Sequence, residues 1–135
     1  MPAILDTGIL YAYYDRRDAW HGQSVDLVKR ELGALIVPAP VIPEADFLLG
    51  DRLGRQARTT FYSGLVDGSY LVADLPRDGC ERIRDLNDRF ADLDLGFVDA
   101  AVVVIAQTLE LFRIATTDRR HFEALRKPLG LELLP

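Results

Sequence analysis

The sequence predicts an α/β domain with a mainly parallel sheet, occupying residues 1–135 as one unit. Three observations predict it. Short apolar runs alternate along the chain with amphipathic stretches of helical spacing, the pattern of strands joined through helices. The apolar runs are continuous rather than alternating, as strands covered on both faces require. The chain has 135 residues, 49% of them hydrophobic and 27% charged, which is enough to bury a core and is the composition of a folded chain.

The elements follow in order. Ala3 to Leu5 is an apolar run that ends at Asp6, with Gly8 close behind. Ile9, Leu10 and Tyr13 then recur at helical spacing, so this segment reads as a buried strand, a turn and a short helix. Asp15 to Trp20 is polar and reads as a loop. Val25, Leu27, Val28 and Leu32 continue a helix that Gly33 can end. Leu35 to Val37 is a second strand, stopped by Pro38. After Pro43 comes a helix with Ala45, Leu48, Leu49 and Leu53 on its stripe, Glu44 at its start and Gly54 as its break. Arg55 to Val66 is an amphipathic helix presenting Ala57, Phe61 and Leu65. Tyr70 to Leu75 is a third strand, closed by Pro76.

Arg77 to Leu93 carries Cys80, Ile83, Leu86, Phe90 and Leu93 at spacings of three and four, which predicts an amphipathic helix with Cys80 in the core. Phe97 to Leu111 is ambiguous on propensity, because Val102 to Ile105 would suit a strand. Its length and its start at Asp99 favour a buried helix. Arg113 to Thr116 is a fourth strand, Asp118 to Leu125 a short helix, and Leu131 to Leu134 an edge strand.

Composition excludes several classes. Cys80 is the only cysteine, and His21 and His121 are the only histidines, so disulfides and zinc clusters built on these residues are out. The first ten residues, MPAILDTGIL, lack the basic start of a signal peptide. The longest apolar run, Ala100 to Ala106, is too short to span a bilayer. The expectation is a cytoplasmic protein with no membrane partner. A net charge of −5 argues against a nucleic-acid partner, but 14 of the 16 basic residues are arginine, the side chain suited to bidentate phosphate contact. They cluster as Arg16-Arg17, Arg52-Arg55-Arg58 and Arg119-Arg120.

The topology brings four acids together. In a parallel α/β sheet the strand carboxyl ends and the starts of the following helices share one edge, where ligands bind. Asp6 ends the first strand, Glu44 opens the helix after the second, and Asp118 follows the fourth. A helix leading into a parallel strand runs antiparallel to it, so the helix that begins near Asp99 starts on the same edge. Like charges about 4 Å apart repel by roughly 4 kcal/mol at an effective dielectric of about 20. A hard divalent cation relieves that repulsion, and Mg²⁺ or Mn²⁺ takes such an all-oxygen set. The reading is metal-dependent hydrolysis of a phosphodiester. Singly, Asp6, Asp99 and Asp118 also suit helix caps, and that alternative stays open here.

Four pieces of the chain resemble the PIN-domain ribonucleases, and among them the VapC-type toxins of bacterial toxin–antitoxin pairs. They are LDTGILYAYYD around Asp6, VIPEADFLL around Glu44, DLDLGFVDAAVVVIAQ around Asp99 and RIATTDRRHFEAL around Asp118, in the family's order. The resemblance implies a three-layer α/β/α fold with a sheet of about five strands. It implies an Mg²⁺-dependent endoribonuclease, with Mn²⁺ as a substitute, an RNA substrate, a cognate VapB-like antitoxin that blocks the site, and a homodimer. Carried over by position, Asp6, Glu44, Asp99 and Asp118 are the catalytic acids, with Asp6, Asp99 and Asp118 on the metal. Thr116 and Thr7 are supporting hydroxyls. Arg119 and Arg120 are candidates for substrate phosphates.

The neighbours read as structural. Asp46 on a helix points away from Glu44, and Asp94 lies in a loop. Trp20, Tyr11, Tyr13 and Tyr14 pack the core or an interface. His121 lies three residues after the fourth acid, within reach of a phosphate there, but reads more simply as an exposed helix residue. A receiver domain needs an acid pair after the first strand and a nearby lysine, whereas this chain has only Asp6 there and only Lys29 and Lys127. A haloacid-type phosphatase needs an acid where Gly8 stands. The remaining alternative is a catalytically inactive PIN-like module that binds RNA or protein.

Overall fold

The computed structural model describes residues 1–135. Five strands form one sheet: β1 (Ala3–Leu5), β2 (Leu35–Pro38), β3 (Leu71–Ala73), β4 (Arg113–Ala115) and β5 (Glu132–Leu134). Their spatial order is β3-β2-β1-β4-β5, and every pairing is parallel. Seven helices connect and flank them: α1 (Thr7–Tyr14), α2 (His21–Arg30), α3 (Val41–Arg52), α4 (Arg55–Val66), α5 (Gly79–Arg89), α6 (Gly96–Leu109) and α7 (Arg119–Leu129). One turn of 3-10 helix, Ala91–Leu93, stands before α6. The architecture is the α/β/α sandwich expected for the family.

β1 is central and fully enclosed, with Ala3, Ile4 and Leu5 at 1% exposure or less. From β1 the chain builds outward through β2 and β3, then crosses to the other side for β4 and β5. The strand order therefore reverses between β1 and β4. In open parallel sheets the crevice at such a reversal is where ligands bind. Register sets Leu5 opposite Ala115, so the next residue on each strand, Asp6 and Thr116, emerges at the same height.

α6 is the ambiguous segment, and it is a helix. Ala100 to Ala106 are all buried, because the helix is enclosed on every side rather than along one stripe. Its start is fixed from α5. The Asn87 carboxamide accepts the Gly96 backbone N–H at 3.1 Å and donates back to the Gly96 carbonyl at 3.3 Å. Gly96 sits at φ +80°, a turn that L side chains adopt only at a cost.

Several boundaries differ from the sequence expectation. α3 begins at Val41, ahead of Pro43, because a proline in the first turn gives up an N–H that has no intrahelical partner there. α2 stops at Arg30, so Leu32 leaves the helical stripe and is 69% exposed. Glu31 turns inward instead and accepts from the Arg113 guanidinium at 3.0 Å. β3 keeps only three residues of the expected strand and, as an edge, exposes Leu71 and Val72. α7 runs on through Pro128 until Gly130 ends it at φ +66°. Cys80 is exposed rather than buried. α5 turns Gly79, Ile83 and Leu86 inward, and Gly79 is packed so closely that a Cβ there would lie 3.0 Å from Leu75.

Among the glycines, Gly8 leaves the least room for a side chain. A Cβ on it would stand 2.1 Å from the Thr117 hydroxyl oxygen, so α1 and the loop after β4 touch only because the side chain is absent. Gly8→Ala is expected to cost about 1–3 kcal/mol, read as a lower urea midpoint. Gly22→Ala, in α2 with nothing within 4 Å of its added methyl, is expected to leave the midpoint unchanged or raise it. Equal midpoints for the two variants would refute the contact.

Candidate active site

The site is assembled around a buried hydroxyl. Thr116, at 0% exposure, follows β4, and its Oγ1 donates to Asp6 Oδ2 at 2.8 Å. The same oxygen accepts the backbone N–H of Asp118 at 2.9 Å. Thr116 thus spends its one proton on the first acid and a lone pair on the backbone of the last. The strands reinforce this link, since the Asp6 N–H donates to the Ala115 carbonyl at 2.9 Å. Asp6 also caps α1, its Oδ1 accepting the Thr7 N–H at 2.8 Å. Both oxygens of Asp6 are therefore held. The hydroxyl of Thr7 is buried and has no partner in the chain.

Asp118 caps α7 and accepts the His121 backbone N–H at 3.1 Å. Its second oxygen accepts from His121 Nδ1 at 2.7 Å. The same Nδ1 lies 3.3 Å from Asp99 Oδ2. One ligand atom each from Asp99, Asp118 and His121 all fall within 4.8 Å of one another. Asp99 stands in the first turn of α6, as the topology requires.

Glu44 lies in the first turn of α3, exposed and without a hydrogen bond, yet its charge is felt by both Asp6 and Asp99. All four predicted acids thus meet at one end of the sheet. Asp6 and Asp118 are tied together, Asp99 joins them through His121, and Glu44 is free at the rim.

His121 corrects the sequence expectation. Its side chain is 20% exposed and faces the acids rather than solvent. The signal was present in the spacing: a residue three positions after a helix cap lies over the cap on the same face. Asp46 does point away, held by Arg58 Nε at 2.9 Å and by the Tyr62 hydroxyl. Asp94 is exposed at φ +49°, closing the 3-10 turn. The Arg119 guanidinium lies 5.3 Å over the Trp20 ring and donates to the Pro135 carbonyl at 3.1 Å. Arg120 is exposed and unpaired. Tyr11 donates to Asp15, and Tyr14 is hydrogen-bonded to Tyr70, so these rings are engaged in packing.

Burial raises the proton affinity of two of the acids, Asp6 and Asp99. Burial pushes the Asp6 carboxyl up to about 6, against the hydrogen bonds from Thr116 and Thr7 that favour its ionised form. Burial, then the charges of Asp6 and Asp118, push Asp99 up to about 7. The hydrogen bond to Asp118 raises His121 above the ordinary imidazole range. No lysine or arginine pairs with the four acids. Two carboxylates and an imidazole within 4.8 Å of one another form a donor set that fits a divalent cation.

The family model of the PIN domain matches residues 3–128. The chain belongs to the PIN-domain family. Ribonuclease VapC26 of Mycobacterium tuberculosis is 33% identical over 127 residues, covering 94% of this chain and 93% of the relative. A VapC ribonuclease of Archaeoglobus fulgidus is 26% identical over 139 residues, covering 93% of this chain and 88% of its own. Among solved structures, Mycobacterium tuberculosis VapC20, described as a toxin that cleaves the sarcin-ricin loop, superposes with a TM-score of 0.81 at 20% identity, over 90% of this chain and 94% of that one. FitAcB of Neisseria gonorrhoeae superposes with a TM-score of 0.66 at 15% identity, over 98% and 96%. These two structures show the shared PIN fold.

The proton affinities predict how stability depends on pH without metal. Asp6 and Asp99 ionise near 3.8 in the unfolded chain and near 6 and 7 in the fold. Between those values the folded state binds more protons, so stability falls as pH rises from about 4 to about 7. The raised His121 adds to the same trend. Asp99→Asn is therefore expected to raise the melting temperature of the metal-free PIN domain at pH 7.5 and to change it little at pH 4.5. Melts at both pH values in EDTA check this.

Proposed function

We propose that this protein is an Mg²⁺-dependent endoribonuclease toxin of the VapC type, inhibited by a cognate VapB-like antitoxin. The observation that carries the reading is the junction of Asp6, Thr116 and Asp118, with Asp99 alongside, at the reversal point of the sheet. The ribonuclease names of the two sequence relatives support it.

Asp6, Asp99 and Asp118 would hold the cation, with Mn²⁺ able to replace Mg²⁺. When bound, such a cation activates water and offsets charge at a phosphate. The chain's own residues do the rest. Thr116 and Thr7 fix the direction of Asp6, so its oxygens need no reorganisation when substrate enters. Glu44, exposed and free of hydrogen bonds, is the carboxylate available to take a proton from the attacking water. The water oxygen bonds to phosphorus, the bond to the 3′ oxygen breaks, and that oxygen takes up a proton. The products are a 5′-phosphate and a 3′-hydroxyl. Arg120 has unengaged donors beside Asp118 for a flanking phosphate, while Arg119 is held on Trp20 and at the Pro135 carbonyl.

The reading includes two partners, a second copy of the chain and an antitoxin. Exposed Phe47 on α3, Tyr62 and Val66 on α4, and Leu71 and Val72 on β3 are apolar side chains open to a partner. No helix is long and apolar enough to cross a membrane.

Antitoxin-free protein incubated with mixed tRNA and rRNA is expected to give discrete fragments with Mg²⁺ or Mn²⁺ and none with EDTA. Asp99→Ala is expected to lose cleavage by at least about 100-fold while keeping its fold. Thr116→Val, which keeps shape and removes the shared hydroxyl, is expected to lose about 10–100-fold. RNA bound but not cut, from folded protein with metal supplied, would favour the inactive binding module.

A further inference from the structure

We infer that His121 is a ligand of the cation held by Asp99 and Asp118, and that its nitrogen tilts the site toward Mn²⁺ over Mg²⁺. The inference rests on the metal-dependent reading above and concerns one residue of this chain.

The geometry points to it. His121 Nδ1 is 2.7 Å from Asp118 Oδ2 and 3.3 Å from Asp99 Oδ2, so a single ring nitrogen faces one oxygen of each acid. Atoms that share one octahedral cation at about 2.1 Å lie about 3 Å apart when adjacent. The nitrogen already stands near that spacing from each of the two oxygens. The ring is held there by its own backbone, because the His121 N–H is donated to the other oxygen of Asp118. A proton between Nδ1 and the carboxylates and a cation between them are therefore alternatives for the same space.

Chemistry then sets the preference. Mg²⁺ takes oxygen ligands and keeps several waters, whereas imidazole suits first-row transition ions. A site of carboxylates alone would discriminate weakly between Mg²⁺ and Mn²⁺. One nitrogen donor adds to Mn²⁺ binding and little to Mg²⁺ binding. Asp6, which donates its directed oxygens from β1, contributes equally to both ions. The competing role for His121 is purely to orient Asp118 through a hydrogen bond, and that role would affect both ions alike.

The test uses the full chain in its antitoxin-free form. Pulsed EPR of the protein with one equivalent of Mn²⁺ is expected to show coupling of the electron spin to a ring nitrogen. The coupling should vanish in His121→Asn, whose carboxamide can still donate to Asp118. By calorimetry, His121→Asn and His121→Ala are expected to weaken Mn²⁺ binding by about tenfold or more, and Mg²⁺ binding by less than about threefold. Bound Mn²⁺ with no nitrogen coupling in the unsubstituted protein would overturn the ligand assignment and leave the nuclease reading standing. Equal losses for both ions would assign His121 to orienting Asp118 alone. No Mn²⁺ binding by folded protein would sink the metal-dependent reading itself, and the inference with it.

Discussion

The hydroxyl of Thr116 is the contact on which the site depends. It is wholly buried, and each of its bonds reaches a different acid: Asp6 through the side chain and Asp118 through the backbone. A carboxylate buried as Asp6 is loses most of its water, and only directed donors can compensate the ionised form. Thr116 and the first N–H of α1 are those donors. The pairing of β1 with β4 puts them there, because Leu5 and Ala115 are in register. Sheet register, helix capping and the placement of charge are thus one arrangement seen at three scales.

Asp99 is held differently. It rides on a helix whose residues from Ala100 to Ala106 are buried on all sides, so α6 cannot shift without disturbing the core. Its start is pinned by Asn87 from α5. The acids therefore do not sit on pliant loops. Their mutual repulsion is met by rigid supports, which keep the acids in place and open to a cation.

Much of this was legible in the sequence. Asp6 and Asp118 follow short apolar runs, and the alternation of strands and helices sends every such end to one edge, so their convergence needs no coordinates. Asp99 follows from the direction of a helix feeding a parallel strand. The side-chain partners were harder to read. The spacing of three from the Asp118 cap sets His121 over that acid, but spacing alone does not say whether the ring turns toward Asp99 or toward solvent. Cys80 was misread for a related reason: Gly79 occupies the inward face, and a glycine carries no hydrophobic signal in a periodicity argument. Leu32 belonged to an apolar pattern that ran past the true end of α2, where the Glu31–Arg113 pairing took the inward place.

The contact between Thr116 and Asp6 joins positions 110 residues apart. Closing a loop of that length costs more chain entropy than forming a local helix or pairing neighbouring strands. During synthesis, a growing chain displays the acids of β1, α3 and α6 well before β4 arrives to gather them. Until β4 has paired with β1 and Thr116 and Asp118 have followed it, the earlier acids are present but not gathered into one rim. A chain that stops at Ala115 lacks both the Thr116 hydroxyl and the Asp118 backbone N–H, the two groups through which the first acid is joined to the last.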